Sequence, residues 1–310
     1  MHIAVIGAGG VGAYFGGKLA HSGQKVTFIA RGESCKVLQT NGLQVKSIAE
    51  ETYITKNFKV FPNISDLQHP DIVLICTKSW QVAEVAKELA TVIHPNTVVI
   101  PLQNGADNVD KLLQHLDKQN IMGGLCKLYS KLEQPGVVNH FGHTPELIFG
   151  EIERGLISER AKTIHTILNS GGFKCTLSKD IWVDIWTKFM FIATVSGLGG
   201  LTRTPIQQMY QNVKLRTLLK QTAEEIYEIS QAKDIGLPSN IVATTMNFIS
   251  KQPEGATAST QRDLMQGKPS ELDNFNGYIV REGERLHIAT PVNNFIYHCL
   301  KPMEEKARKV

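Results

Sequence analysis

The chain has 310 residues, 42% hydrophobic and 20% charged, a composition typical of a soluble globular protein and a length that suits two domains or one large one. Its formal net charge of +4 is small and dispersed, which excludes a strongly basic nucleic-acid-binding surface and leaves room for small anionic ligands.

Met1 to Ala30 reads as strand, glycine turn, helix, strand. The apolar run Ile3 to Ile6 leads into Gly7-Ala8-Gly9-Gly10-Val11-Gly12, helical spacing continues to near Gly23, and Lys25 to Ala30 is a second strand. In such an order Gly7 permits the turn, Gly9 lets backbone N–H groups approach a pyrophosphate, and Gly12 lets the helix pack on the sheet. A glycine turn that serves only packing is the plainer alternative, and the strands on both sides favour a dinucleotide site. Arg31 ends the second strand, where an acidic residue would suit the ribose 2′-hydroxyl of NAD and a guanidinium suits the 2′-phosphate of NADP. NADP(H) is therefore expected, with a solvated Arg31 and nearby Glu33 as the competing picture.

After a helical stretch from Glu33 to Thr40, Leu43 to Ile48 and Tyr53 to Val60 are β-like. Asp71 to Cys76 and Thr97 to Pro101 are buried strands, and helices are expected over Trp80 to Ile93 and Ala106 to Leu116. This alternation predicts a doubly wound α/β domain. Ile121 to Leu132, Val137 to Phe141 and Leu147 to Gly150 then suggest a small mixed extension at the sheet edge, closed by a helix from Glu159 to Ser170 and a strand from Phe173 to Leu177.

From Asp180 the pattern is helical: Ile181 to Ala193, Val213 to Ala232, Ile241 to Ser250, Thr257 to Met265, Leu272 to Leu286, and a last helix opened by Thr290-Pro291 and reaching about Arg308. The expected fold class is α/β, an N-terminal doubly wound sheet domain at residues 1–179 followed by an all-helical domain at 180–310.

The five cysteines are scattered, odd in number and without a CxxC pair, which argues for a reducing compartment and against zinc. His140 and His143 are separated by Gly142 with no carboxylate nearby, so no metal is expected. The apolar stretch Phe189 to Leu201 is shorter than the roughly 20 residues that span a bilayer. With a strand at the first residues leaving no room for a signal peptide, a cytoplasmic protein with no membrane partner is expected.

Reacting groups in open α/β sheets gather at the carboxyl ends of the strands. Lys78 follows one such end and Asn104 another: Lys78 either faces cofactor or substrate or is a surface lysine, and Asn104 either bonds a nicotinamide ribose or merely makes a turn. Lys188, embedded in Trp186-Thr187-Lys188-Phe189-Met190, is a cation among apolar residues, which is the environment of an acid catalyst, unless it snorkels outward. Glu271 pairs with a cation or marks a helix start. Ser259 and Thr260 bind a carboxylate or cap a helix.

In this order the motifs Gly7 to Gly12, Arg31, Thr77 to Gln81, Gln103-Asn104-Gly105, Trp186 to Phe189, Ser259 to Asp263, Glu271 to Asp273 and Asn276-Gly277 resemble those of the ketopantoate reductase family. The resemblance implies a Rossmann-like domain joined to a helical one with the active site in the cleft between them. The implied activity is NADPH-dependent reduction of 2-dehydropantoate to (R)-pantoate, toward pantothenate and coenzyme A, by a monomer or homodimer. It makes Lys188 the catalytic lysine, Glu271 the active-site glutamate in contact with cofactor and substrate, Ser259 the substrate serine, Asn104 a cofactor and substrate contact, and Lys78 a lysine lining the cofactor site. Two asparagines that hold substrate in well-known members fall at Ile192 and Ser196 here, and a third at Ala256. Ser196 is then the substituted substrate contact, and Gly197, Gly199, Gly200, Thr202 and Arg203 are a candidate cradle of a different kind.

In the implied reaction, hydride reaches the carbonyl carbon of a 2-oxo acid while Lys188 stabilises the developing oxyanion and supplies the proton. Glu271 orients Lys188 and a substrate hydroxyl, and Ser259 binds the carboxylate. A reductase of another branched 2-oxo acid and a non-catalytic NADP(H) sensor are the alternatives, the first motivated by Ile192 and Ser196.

Overall fold

A computed structural model describes residues 1–309. The chain divides into two compact units, one of Met1–Gln103 with Asn108–Asp184, the other of Asn104–Asp107 with the residues from Ile185 onward.

The first unit carries β1 (His2–Ile6), α1 (Gly10–His21), β2 (Lys25–Ile29), α2 (Gly32–Asn41), β3 (Leu43–Ser47), β4 (Tyr53–Thr55), β5 (Phe58–Phe61), β6 (Ile72–Ile75), α3 (Val82–Leu89) and β7 (Val98–Pro101). It continues with α4 (Asn108–Leu113), β8 (Met122–Lys127), β9 (Ser130–Gln134), β10 (Val137–His140), β11 (Glu146–Glu151), α5 (Glu159–Asn169) and β12 (Lys174–Leu177). The main sheet is parallel, in the order β5-β2-β1-β6-β7, with Val5 opposite Phe28 on one side and Leu74 on the other. β1 and β6 are buried along their whole length, as their unbroken apolar runs require. The order in which strands are added across the sheet reverses between β1 and β6, so Gly7 and Thr77 stand side by side at the switch point where such sheets bind ligands.

The strands beyond this sheet form two groups rather than one edge extension. β8, β11 and β12 lie at the β7 edge, reached through a bridge between Val99 and Ile121. A separate mixed sheet, β4-β3-β10-β9, packs on the far side of α1. The run Ile121 to Leu132 is thus cut at Leu128-Tyr129 and serves both groups. Tyr53 to Val60 is also cut, at Lys56-Asn57, where the Asn57 side chain bonds the Ala20 carbonyl at 3.1 Å and redirects the chain from β4 into β5 of the main sheet. α1 therefore lies between sheets. A methyl group on Gly16 would come within 2.6 Å of Phe28, and one on Gly17 within 2.8 Å of Leu43.

The second unit is helical: α6 (Ile181–Thr202, its first four residues counted with the first unit), α7 (Ile206–Gln211), α8 (Val213–Ala232), α9 (Ile241–Ser250), α10 (Ser259–Met265), α11 (Asn276–Leu286) and α12 (Pro291–Ala307). α6 does not stop at Ala193. It runs on through Gly197, Gly199 and Gly200, and Arg203 ends it with a left-handed φ of 55°. At 22 residues it is long and apolar enough to cross a bilayer, and 61% of its apolar window is buried within this fold. The Leu272 to Leu286 stretch breaks at Phe275 into a single 3₁₀ turn, Leu272–Asn274, and α11.

Candidate active site

The first unit holds a cavity of about 260 Å³ at the carboxyl ends of β1, β2 and β6, bordered by Gly7, Gly9, Ala30, Arg31, Thr77 and Glu88. Gly7 has φ +97°, a conformation only glycine adopts cheaply, and its N–H bonds the Ile29 carbonyl at 2.9 Å. Gly12 is buried and faces the Gly7 carbonyl oxygen so closely that a β-carbon there has no room. Around Gly9 no atom lies within 4 Å of where a β-carbon would stand. The open place is thus at the mouth of α1, whose N-terminus has no side-chain cap, and its leading N–H groups and dipole suit an anion. Ala8, Gly10 and Val11 complete the turn half-buried, with Gly10 against Ser130 of β9. These features fit a dinucleotide pyrophosphate.

Arg31 is 66% exposed and stands 3.6 Å from Glu88 of α3. Lys78 is half-buried with its ammonium 5.6 Å from the Trp80 ring centre, a cation–π contact, while its neighbours Thr77 and Gln81 reach the cavity wall. Gln103 bonds the Thr77 hydroxyl at 3.4 Å. Asn104 is half-buried, just before Gly105 at φ +121°. Composition and spacing pointed to the glycines and Arg31. They did not point to Ser34, Glu84, Glu88 or Leu132, which also line the cavity. The ring nitrogens of His140 are engaged by Ser47 at 2.8 Å and the His143 carbonyl at 3.0 Å, which makes it a satisfied core histidine.

In the second unit Lys188 lies half-buried on α6 between buried Trp186 and Phe189. Phe189 packs edge-on against Phe275, centroids 6.2 Å apart, and the Phe275 N–H bonds the Glu271 carbonyl at 3.1 Å. The helical turn carrying Lys188 is therefore packed against the backbone turn that Glu271 opens. Glu271 is 5% exposed. Its flanks are tied to α12: Glu304 accepts from the Ser270 N–H at 3.0 Å and hydroxyl at 2.5 Å, and Asp273 accepts from Tyr297 at 2.7 Å and Lys301 at 2.8 Å. Burial alone would raise the Asp273 carboxyl, but the bonds from Lys301 and Tyr297 outweigh it and hold it below the usual range.

Ser259 is the half-buried first residue of α10, with Ala258 in the capping position, so its hydroxyl does not cap that helix. Ser196 is fully buried and its hydroxyl has no hydrogen-bond partner among the described residues, so substrate could reach it only if the packing around α6 opened. The glycine cradle is not formed. Gly197 abuts Asn276, Gly199 abuts Gln261 and Gly200 abuts Leu264, so these residues bring helices together instead of surrounding a ligand.

Models described as Ketopantoate reductase PanE/ApbA and its C terminal match residues 3–154 and 180–304. The chain belongs to the ketopantoate reductase family. It is similar to the uncharacterized oxidoreductase YkpB of Bacillus subtilis, 26% identical over 304 residues, 98% of this chain and 99% of that one. It is also similar to a 2-dehydropantoate 2-reductase of Archaeoglobus fulgidus, 26% identical and 97% covered in both directions. Among solved structures, a family member from Ralstonia eutropha JMP134 superposes with a TM-score of 0.90 at 26% identity, over 99% of this chain and all of that one (100%). A D-mandelate dehydrogenase solved with NADH and anilino(oxo)acetate shares the fold, with a TM-score of 0.89 at 23% identity over 99% and 100% of the two chains. The ketopantoate reductase family assignment makes the protein an oxidoreductase and accounts for its α/β-plus-helical build.

Proposed function

We propose that the protein is an NADPH-dependent reductase converting 2-dehydropantoate to (R)-pantoate in the cytoplasm, toward pantothenate and coenzyme A. The observation that carries this reading is the cavity in the first unit, which combines a glycine turn open to a pyrophosphate with a guanidinium suited to a 2′-phosphate. Gly7 to Gly12, Arg31, Lys78 and Asn104 would hold the dinucleotide, which supplies the hydride when bound. Lys188 protonates the substrate carbonyl oxygen as negative charge gathers there, Glu271 keeps Lys188 and a substrate hydroxyl in place with a contact to cofactor, and Ser259 and Asn104 bind substrate, while Ser196 is buried out of its reach. In this proposal residues 1–179 form the nucleotide-binding part and 180–310 the catalytic one.

A general acid contributes about 10²- to 10⁴-fold. Lys188→Ala should therefore lower kcat by about that factor while NADPH binding, followed by fluorescence titration, persists. Near-normal turnover of the variant would show that the acid is another group. A second reading, reduction of a different branched 2-oxo acid, is favoured by Ile192, Ser196 and Ala256, which replace amides with groups that bond substrate less or not at all. NADPH consumption at 340 nm with 2-dehydropantoate beside a panel of 2-oxo acids separates the two.

A further inference from the structure

We propose that Glu88 sets the cofactor preference of this protein by competing with a ribose 2′-phosphate for Arg31. It rests on Arg31 being the 2′-phosphate ligand of the proposed reductase. Arg31 and Glu88 border the same cavity, 3.6 Å apart, and neither is buried: their side chains are 66% and 37% exposed. Glu84 lies one helical turn before Glu88 on α3 and borders the cavity too. Glu84 is in the first turn of α3, where the helix dipole favours an acid, but Glu88 near its C-terminal end gains nothing from the dipole and repels Glu84.

The wall around the Arg31 guanidinium thus carries two carboxylates, which oppose an incoming phosphate. A 2′-phosphate must draw Arg31 away from Glu88 and then rest near a carboxylate of its own sign. A free 2′-hydroxyl meets no such opposition. It donates to the Glu88 carboxylate, an acceptor-only group, and leaves the Arg31 pair standing. Glu88 thereby narrows the advantage that Arg31 confers on NADPH and lets one cavity accept both dinucleotides.

The test uses the full chain and two probes that lack nicotinamide, adenosine 2′,5′-bisphosphate and adenosine 5′-monophosphate, titrated by calorimetry. Glu88→Gln keeps the side-chain shape and removes the charge. It should tighten the bisphosphate about five- to tenfold and leave the monophosphate unchanged or slightly weaker, so the ratio of the two affinities rises. An unchanged ratio, or an equal change in both affinities, overturns the proposal. Arg31→Ala in the same titration separates the two levels. If Arg31→Ala leaves the bisphosphate affinity intact, the 2′-phosphate reading of Arg31 fails and the role of Glu88 fails with it. If Arg31→Ala weakens the bisphosphate selectively while Glu88→Gln leaves the ratio alone, only the role of Glu88 fails.

Discussion

An added methyl group at Gly9 would meet nothing within 4 Å, whereas at Gly12 it would run into the Gly7 carbonyl oxygen. Only the first of these glycines is dispensable to the fold, because its φ of −77° suits alanine as well. Gly9→Ala should lower the melting temperature by no more than about 4 °C, the cost of alanine at the N-cap of α1. The same substitution should weaken NADPH binding at least about tenfold, near 1.4 kcal/mol, since the methyl fills the approach of the pyrophosphate. Unaltered affinity would place the dinucleotide elsewhere. These positions were legible in the sequence because turn chemistry is encoded by spacing along one continuous segment. Glu88 was not, because its role exists only once α3 is brought beside the end of β2. Within α3, Val82, Val85, Ala86 and Leu89 form the buried stripe, and Glu84 and Glu88 read as part of an ordinary solvent face.

Among elements, the opening of α12 shows how a sequence signal can be correct about place and silent about means. Thr290-Pro291 does start the helix, with proline in the first turn, yet the Thr290 side chain makes no capping bond. Glu225, from the middle of α8, accepts instead from the Val292 N–H at 2.7 Å, the Asn293 N–H at 2.9 Å and the Asn293 amide at 2.7 Å. Asn293 in turn accepts from Asn276 at 2.9 Å, so one buried carboxylate ties three helices together. Glu225→Gln exchanges a charged acceptor for an amide that can satisfy only part of this set, a loss of roughly 1–3 kcal/mol. Urea denaturation should register the loss as a lower midpoint with an unchanged slope; a variant as stable as the parent would mean that water replaces the cap. The helical periods of α8 and α9 were clear from pattern alone, whereas the end of α6 was not. Glycine counts as a breaker in a sequence, and only the tight approach of Asn276, Gln261 and Leu264 shows why Gly197, Gly199 and Gly200 stay helical.

For the molecule as a whole, the carboxyl held furthest below its ordinary value is Glu146, where β11 runs between β8 and β12. Its carboxylate bonds Lys127 at 3.0 Å, Lys174 at 2.7 Å and the Thr176 hydroxyl at 2.8 Å, the residues opposite or next to opposite on both neighbouring strands. Burial would raise this carboxyl, but Lys174, Thr176 and Lys127 prevail and hold it down to about 2. A carboxyl depressed in the folded state adds stability that is complete above its unfolded value near 4.3 and is lost as pH falls toward 2, with about half gone by pH 3. Both lysines are more than half exposed, 57% and 62%, so solvent reduces the contribution to on the order of 2 kcal/mol. Glu146→Gln should therefore be less stable than the parent at pH 7, and the gap should shrink at pH 3. A gap that stays constant with pH would show that the charge contributes nothing. The enclosure of α1 between sheets bears on the electrolyte around the molecule. Dissolved ions shield exposed charges over a Debye length of about 10 Å at 0.1 M, yet they cannot enter the flanks of a helix sealed by protein on both sides. Salt still screens the field where the mouth of α1 opens to solvent, but from that side alone, whereas the outlying Arg31 is screened from most directions. Ionic strength thus acts more strongly at the Arg31 end of the cavity than at the glycine-turn end.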